Sequence, residues 1–452
     1  MRLRNHLILS AITVCSMVAG TYQSTAQMNP IKFEEFDLPN GLHCILHVDK
    51  SAPIAAVIVH YRVGSRDENP KRNGFAHFFE HLMFEGTQDI PRASISKYAE
   101  GVGGRLNAYT SFDETVYHME VPAHEVKLPM WIESQRMRNL IIDKIGVETQ
   151  RGVVKEERKM SYDNRPYGTW NEKSNKLLFQ GGSYAWTPIG SAQHIDSAAI
   201  PEFQEFYDRF YQPNNATLVI SGDIDTKQIR GFIDTYFGSI PRGKDIVREK
   251  FILEPYNGTS RETIEDPKAQ LPAMFVSYRG PKMGDVDAYA FQMLNDILAS
   301  GESSRLYQRL VDKDQVAVQA SAFNWDLQYA GRISMIGVAA PGKELSSVEK
   351  TMDEEIKRLQ AEGVTDEEFV KAKNIAEVRF LYDKKGALDK GMALAKAHTY
   401  FGNANLANTE IEKFYKVTKE DLKRVANKYL TLNDRVVLYY VPKAKTDAKS
   451  GG

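Results

Sequence analysis

Two histidines and a glutamate near residue 80 have the types and the spacing of a metal site. The run His77-Phe78-Phe79-Glu80-His81 places the histidines four residues apart. On a helix they lie one turn apart on one face, where two imidazoles can bind a single ion, usually Zn²⁺. Glu80 would lie beside them as a base that takes a proton from water. The apolar neighbours predict a buried helix, in which ionisable groups need partners.

The alternative is an ordinary core helix whose histidines bond to their neighbours. The chain has only ten histidines, and with that number this pattern arises by chance on the order of once in a hundred such chains. The metal site is therefore the favoured interpretation.

A zinc site of this kind usually has a third protein ligand and one open position. The helix predicted over residues 147–160 offers Glu148, Glu156 and Glu157. We expect Val153 and Val154 to face the core, and Glu157 would share the side of Val153. Glu156 is turned about 100° away and stays the alternative, because a helix turns by that angle at each residue.

The elements that must hold these residues follow an α+β pattern. Strands are predicted over residues 34–47, 53–63, 105–111 and 114–121, followed by helices over 125–140, 147–160 and 201–210. A further strand is predicted over 216–222 and a helix over 225–237. This order of elements is typical of an α+β fold.

The chain also repeats itself. Residues 55–62 resemble 273–279, and residues 208–220 resemble 427–439. The repeat predicts two homologous α+β sandwich domains from an internal duplication, each an antiparallel-rich sheet with helices. We expect a zinc-binding domain over residues 28–245, a linker over 246–267 and a homologous domain over 268–445. The second copy has Leu294-Asn295-Asp296-Ile297-Leu298 where the first has the histidine motif, so it should lack the metal.

Composition and the N-terminus suggest where the chain works. The net charge of −1 over 452 residues gives no reason to expect nucleic acid as a partner. Residues 1–27 are predicted to be a signal peptide for export to the periplasm, although a lipid anchor at Cys15 stays an alternative. No later segment is apolar enough to be a transmembrane segment. Removal of the signal leaves Cys44 alone, which excludes an intrachain disulfide.

Several motifs together resemble the pitrilysin/insulysin family of zinc peptidases. They are the histidine motif, Glu157 in VVKEERK, the segment GGRLNAYTSFDETVY and the run Arg165-Pro166-Tyr167-Gly168. The resemblance covers essentially all of the chain after residue 27. Its two halves are similar to the short-chain branch that includes the processing peptidases, whose members pair as dimers.

The resemblance implies a role for each candidate residue. His77, His81 and Glu157 would hold Zn²⁺, and Glu80 would activate water to hydrolyse a peptide. Asn107, Ala108 and Tyr109 would lie on an edge strand that pairs with an extended peptide substrate, although a plain sheet edge is the alternative.

Two departures from the family pattern bear on function. Gln150 stands where the family often has a second glutamate, two turns before the third ligand. Val311 and Val318 stand where the family usually has an arginine and a tyrosine that grip the substrate. This implies a heterodimer in which a homologous subunit supplies that pair; the alternative is a non-catalytic peptide-binding or structural subunit.

Overall fold

The computed structural model describes residues 29–443. The predicted signal peptide and the last two residues of the predicted second domain lie outside these residues. The strands are β1 Glu34–Asp37, β2 His43–Val48, β3 Ile54–Tyr61, β4 Arg105–Thr110, β5 Thr115–Pro122, β6 Ala216–Gly222, β7 Thr259–Asp266, β8 Ala273–Gly280, β9 Ala317–Trp325, β10 Gly331–Ala339 and β11 Arg435–Pro442.

The helices lie between these strands in two groups. In the first half they are α1 Phe75–Leu82, α2 Ile95–Gly101, α3 Lys127–Arg138, α4 Lys144–Arg158, α5 Trp170–Leu178, α6 Ala192–Ser197, α7 Ile200–Phe210 and α8 Thr226–Phe237. In the second half they are α9 Val286–Ala299, α10 Arg305–Tyr307, α11 Leu345–Glu362, α12 Asp366–Tyr382, α13 Ala387–Phe401, α14 Leu406–Thr409, α15 Ile411–Lys416 and α16 Lys419–Tyr429.

Two sheets of mostly antiparallel strands repeat one topology. The first has the order β1-β2-β6-β3-β5-β4 and the second β7-β11-β8-β10-β9. The parallel pair β2 and β6 corresponds to the parallel pair β7 and β11, and every other pairing is antiparallel. The predicted α+β class is confirmed. The domain limits at residues 245 and 268 stay predictions.

One predicted strand is wrong in its extent. Residues 34–47 form a hairpin, β1 and β2, around a turn in which Gly41 N donates to Leu38 O. Leu38 and Leu42 are buried on either side of this turn. Because they continue the apolar pattern through Pro39-Asn40-Gly41, the two strands look like one in the sequence.

Each sheet is covered on its outer face by a helix from the other half of the chain. Leu394 and Ala395 of α13 pack with Ile45, Ile58 and Val219 of the first sheet. At Gly391 a Cβ atom would lie 2.6 Å from Ile58 Cδ1, so the missing side chain lets α13 approach the sheet closely.

The second sheet is covered in the reciprocal way. Leu178 at the end of α5, together with Phe179, packs with Phe275, Val436 and Leu438 of the second sheet. The two halves are therefore joined by buried apolar surface as well as by the connecting segment.

The expectations about transmembrane segments and about Cys44 can be compared with the described residues. None of the helices in 29–443 is both long and apolar enough to cross a bilayer. Cys44 is a free, fully buried cysteine.

Candidate metal centre

The helix with the histidine motif, α1, is buried on nearly every side. Phe75 and Phe78 stack on Phe203 of α7 with ring centroids 4.8 and 4.7 Å apart, and Phe79 stacks on Phe206 at 5.4 Å. His77 is buried with them, and His81 is half-buried at the open end of the helix. The aromatic residues of α1 therefore hold this helix in the hydrophobic core of the first half (the first core). The face that carries the two histidines stays available for chemistry.

The N-terminus of α1 is capped by a side chain from the preceding loop. The carboxyl group of Glu68 accepts hydrogen bonds from Gly74 N at 2.9 Å, Ala76 N at 2.8 Å and Trp186 Nε1 at 3.0 Å. These backbone groups have no partner inside the helix. Burial raises the pKa of Glu68 to about 8, although the same N–H groups act to lower it. Gly74 has a φ of 98°, which no other residue adopts as easily.

The C-terminus of α1 is held by two residues from other elements. Arg136 of α3, itself buried, donates from Nε to Met83 O at 3.0 Å and pairs with Glu133 at 2.6 Å. The Tyr117 hydroxyl of β5 donates to Phe79 O at 3.3 Å. Sequence reasoning did not find Glu68 or Arg136; the glycine at the N-cap, which has no side chain for capping, was the one available sign that a cap must come from elsewhere.

The structure brings His77, His81 and Glu157 together. The Nε2 atoms of the two histidines are 3.3 Å apart, and Glu157 Oε2 lies 3.4 Å from His77 Nε2 and 3.2 Å from His81 Nε2. The side chains of His81 and Glu157 are 22% and 40% exposed, so one side of this triangle is open to solvent. The two imidazoles hold the pKa of Glu157 well below its usual range, which keeps the carboxylate charged.

This triangle fits a zinc ion. Ligand atoms about 2.0–2.1 Å from a tetrahedral Zn²⁺ lie about 3.3 Å from one another, which is the spacing of these three atoms. Two imidazoles and one carboxylate are also a ligand set of catalytic zinc sites, in which a fourth position stays open. The donor types and the spacing therefore both fit the predicted ion.

Glu157 faces the histidines for a different reason from the one expected. Val153, which was expected to point into the core, is 44% exposed, whereas Val154 is 1% exposed. Glu157 follows Val154 by three residues, so it lies near the edge of the buried face of α4. Glu156 points to solvent, 61% exposed, and pairs with Lys159 at 3.2 Å.

Glu80 is half-buried on α1, one residue before His81. Burial raises the pKa of Tyr211 and of Tyr117, and the charge of Glu80 adds to the increase to a lesser degree. Within residues 29–443 the Glu80 carboxylate makes no hydrogen bond to another side chain.

Gln150, one of the two departures from the family pattern, forms a hydrogen bond between α4 and the segment that follows α1. Its Nε2 donates to Glu85 Oε1 at 2.6 Å, and the other oxygen of the buried Glu85 accepts from Arg92 at 2.5 Å. The amide therefore helps to position α4, and with it Glu157, against the segment that carries the histidines.

The predicted substrate strand lies where it was expected. β4, with Asn107, Ala108 and Tyr109, is at the edge of the first sheet, and β5 is its one partner strand among the described residues. Ala108 is buried toward α1, whereas Asn107 and Tyr109 are exposed on the other face. A peptide could pair with the free edge of this strand close to the triangle.

A second group of histidines and carboxylates, Glu35, His43 and His398, is also close together. The rings of His43 and His398 stack with centroids 3.4 Å apart and planes 3° from parallel. Parallel rings direct their nitrogen lone pairs side by side, so they do not converge on one ion. His43 instead pairs with Asp37 at 2.8 Å and Glu35 at 3.4 Å, which accounts for the group without a metal.

Comparison with known proteins identifies the family. The profile described as "Insulinase (Peptidase family M16)" matches residues 44–176, and that described as "Peptidase M16 inactive domain" matches residues 199–376. The chain belongs to peptidase family M16. The M16 inactive-domain match falls mainly on the second half, in agreement with the predicted loss of the histidine motif there.

Individual M16 relatives match over nearly the whole chain. "Zinc protease PqqE" of Helicobacter pylori is 26% identical over 441 residues, which are 96% of this chain and 98% of the relative. The crystal structure of a protease from Helicobacter pylori is 26% identical and superposes with a TM-score of 0.86 over 91% of this chain and all of that one. The first half of the periplasmic protease PqqL from Escherichia coli has the same fold at 20% identity, with a TM-score of 0.74 over 92% of this chain and 93% of that one.

The neighbouring glutamates of α4 give a matched pair of variants. We expect Glu157→Gln to lower zinc affinity by more than about 100-fold, because it removes the carboxylate that faces both histidines. Glu156→Gln should bind zinc as the unchanged protein does. Competition with a chromogenic chelator measures both, and equal affinities in the two variants would exclude Glu157 as a ligand.

The Glu68 cap gives a second test. Glu68→Ala leaves two backbone N–H groups, those of Gly74 and Ala76, without a partner at the start of α1, so we expect a loss of stability of about 1–3 kcal/mol for each of them. We also expect zinc affinity of the folded protein to fall about 10- to 100-fold, because the rings of His77 and His81 lose their fixed support. Glu100→Ala, at an exposed carboxylate on α2, is the control. Unchanged affinity with lowered stability would mean that Glu68 does not position the histidines.

Proposed function

We propose that this M16 protein is a zinc endopeptidase that hydrolyses peptides or unfolded protein segments in the periplasm. The observation that carries the proposal is the triangle of His77 Nε2, His81 Nε2 and Glu157 Oε2, with sides of 3.2–3.4 Å. The relatives named zinc protease support the metal and the reaction class. The signal peptide predicted over residues 1–27 and the fold shared with PqqL support the location.

In this proposal His77, His81 and Glu157 hold Zn²⁺. The ion would act as a Lewis acid toward the scissile carbonyl and would make a nearby water more acidic. Glu80 accepts the proton of the attacking water on its carboxylate and then delivers it to the leaving amine nitrogen. The half-buried position of Glu80 limits competing water around that proton.

The substrate in this proposal is an extended peptide bound along β4. Its main chain pairs along Asn107, Ala108 and Tyr109, where Ala108 directs its N–H and C=O groups away from β5, and this pairing accepts many sequences because side chains are not read. A folded protein would not offer such a strand, and this favours peptides and unfolded segments.

A homologous partner subunit is the second element of the proposal. Val311 packs against the second core and Val318 is 47% exposed on β9, so neither position offers a cation or a hydroxyl to a substrate. An arginine and a tyrosine from a second chain would supply the missing contacts. The same two valines support the alternative, a subunit that binds peptides without cutting them.

The Glu80→Gln variant separates the enzyme from the binding subunit. We expect it to keep about one zinc per chain, because Glu80 is outside the triangle, and to lose cleavage by about 100- to 10,000-fold as expected for a general base. Zinc content by atomic emission and cleavage of a quenched fluorescent peptide measure the two effects. A chelator should abolish peptide cleavage by the unchanged protein, and added Zn²⁺ should restore this cleavage. Full activity of Glu80→Gln would remove this mechanism.

The partner is tested by purification from cells that express the chain at its natural level. We expect a homologous chain with arginine and tyrosine at the positions of Val311 and Val318 to co-purify. Adding it should raise the cleavage rate at least about 100-fold, as expected when missing groups that stabilise the transition state are restored. Equal rates with and without the second chain would show that this chain is complete alone.

A further inference from the structure

A cavity of about 530 Å³ opens beside the substrate strand, on the face of the sheet away from α1. Tyr109 of β4 lines it, and most of its wall comes from helices of the second half. More of the wall is apolar than polar, and Met283, Phe380, Leu388 and Met392 are among its apolar residues. A volume of this size is in the range of specific binding pockets.

The charges at this cavity have both signs and nearly balance. Asp326, Asp383, Asp389 and Glu410 are acidic, and Arg379, Lys384 and Lys396 are basic. A charged side chain would meet a like charge as readily as an opposite one. The lining therefore favours a large uncharged apolar side chain.

The register of β4 shows which substrate side chains would reach the cavity. Ala108 pairs with Tyr117 in the first core, on the side of α1, whereas Tyr109 pairs with Val116 on the outer face. A peptide strand added beside β4 alternates in the same way. One set of its side chains faces the histidines, and the other set faces the cavity.

The wall at Tyr109 is held in place by a partly buried network. The Tyr109 hydroxyl donates to Glu114 at 3.3 Å, and Glu114 also accepts from Tyr400 of α13 at 2.8 Å. Burial alone would raise the pKa of Glu114, but His60, 2.9 Å away, brings it to about 2. The ionised carboxylate thus fixes a residue of the first half against a helix of the second.

We propose that this cavity is a subsite for one large apolar side chain, of the phenylalanine or leucine class, on the outer side of the bound peptide. This rests on the proposed function, because it takes β4 as the substrate strand. Main-chain pairing alone would let the peptide slide along β4 by two residues at a time. An anchored side chain sets the register, and hence which bond lies at the metal.

The test is a set of host peptides of Ala, Ser and Gly that carry a single Phe, moved one residue at a time. They are digested by the full chain together with any co-purified partner, and the cuts are located by mass spectrometry. We expect the cut to move with the Phe and to stay at a constant distance from it. Cuts that ignore the position of the Phe would overturn the subsite.

Variants of the cavity make the test specific. Ala393 is half-buried in the wall of the cavity. The variant Ala393→Trp should fill the cavity and raise KM for Phe peptides about 10-fold. It should also make these peptides be cut at several positions instead of one. Cleavage of the Phe-free host peptide should change less than cleavage of the Phe peptides, because the host has no large side chain for the cavity. Ala361→Trp, at an exposed position outside the cavity, is the control. Met392→Ser, which removes an apolar wall without filling the space, should weaken the same preference if Ala393→Trp does not fold.

Binding to the Glu80→Gln variant distinguishes failure of the subsite from failure of the hydrolase proposal. Fluorescein-labelled Phe peptides should bind it about 10-fold more tightly than the host peptide, and a second change, Ala393→Trp, should remove the difference. If no peptide is cut by the unchanged protein but this difference is found, the subsite stands and the hydrolase does not. If Phe and host peptides bind equally, or if Ala393→Trp keeps the preference, the subsite is wrong.

Discussion

Burial of α1 is the constraint on which the candidate site depends. A short helix inside a core must find partners for the N–H groups at one end and the carbonyls at the other. Here these come from Glu68 before the helix, Arg136 on α3 and Tyr117 on β5. The four-residue spacing brings His77 and His81 close only while the helix is intact, so these three contacts support the spacing of the two Nε2 atoms. Glu157 then completes the triangle from a separate helix that packs on α1.

The second half has lost the histidine motif but takes part in building the site. Its helix α13 covers the outer face of the first sheet, and α5 covers the second sheet in return. Without α13, the first sheet would expose Ile45, Ile58 and Val219 to water. This exposure would cost about 25 cal/mol of folding free energy for each Å² of apolar surface. Because α13 also forms part of the wall of the cavity beside Tyr109, the same packing that stabilises the first sheet also builds this cavity next to β4.

Sequence reasoning succeeded where the signal was local and failed where the contact was distant. The helical spacing of His77 and His81, the strand at β4 and its free edge follow from short patterns or from the family resemblance. Glu157 lies next to the histidines, but not on the side of a buried Val153 as expected, because Val153 is exposed; the apolar positions of α4 alone do not tell which of two adjacent valines is buried. Arg136 lies 53 residues from the carbonyl that it caps, and nothing in its surroundings in the sequence marks it as a capping residue.

The second half of the chain differs from the first at all three positions of the candidate triangle. The alignment of the two halves that pairs His77 and His81 with Leu294 and Leu298 also pairs Glu157 with Asn374 on α12. Helix α12 packs on α9 in the same way as α4 packs on α1. Both leucines are fully buried. A buried histidine that has lost its acidic partner costs free energy, because its ring nitrogens are withdrawn from water without compensation. Once one of the three residues changes, replacement of the others by apolar or surface residues is stabilising, which favours an ordinary core helix such as α9.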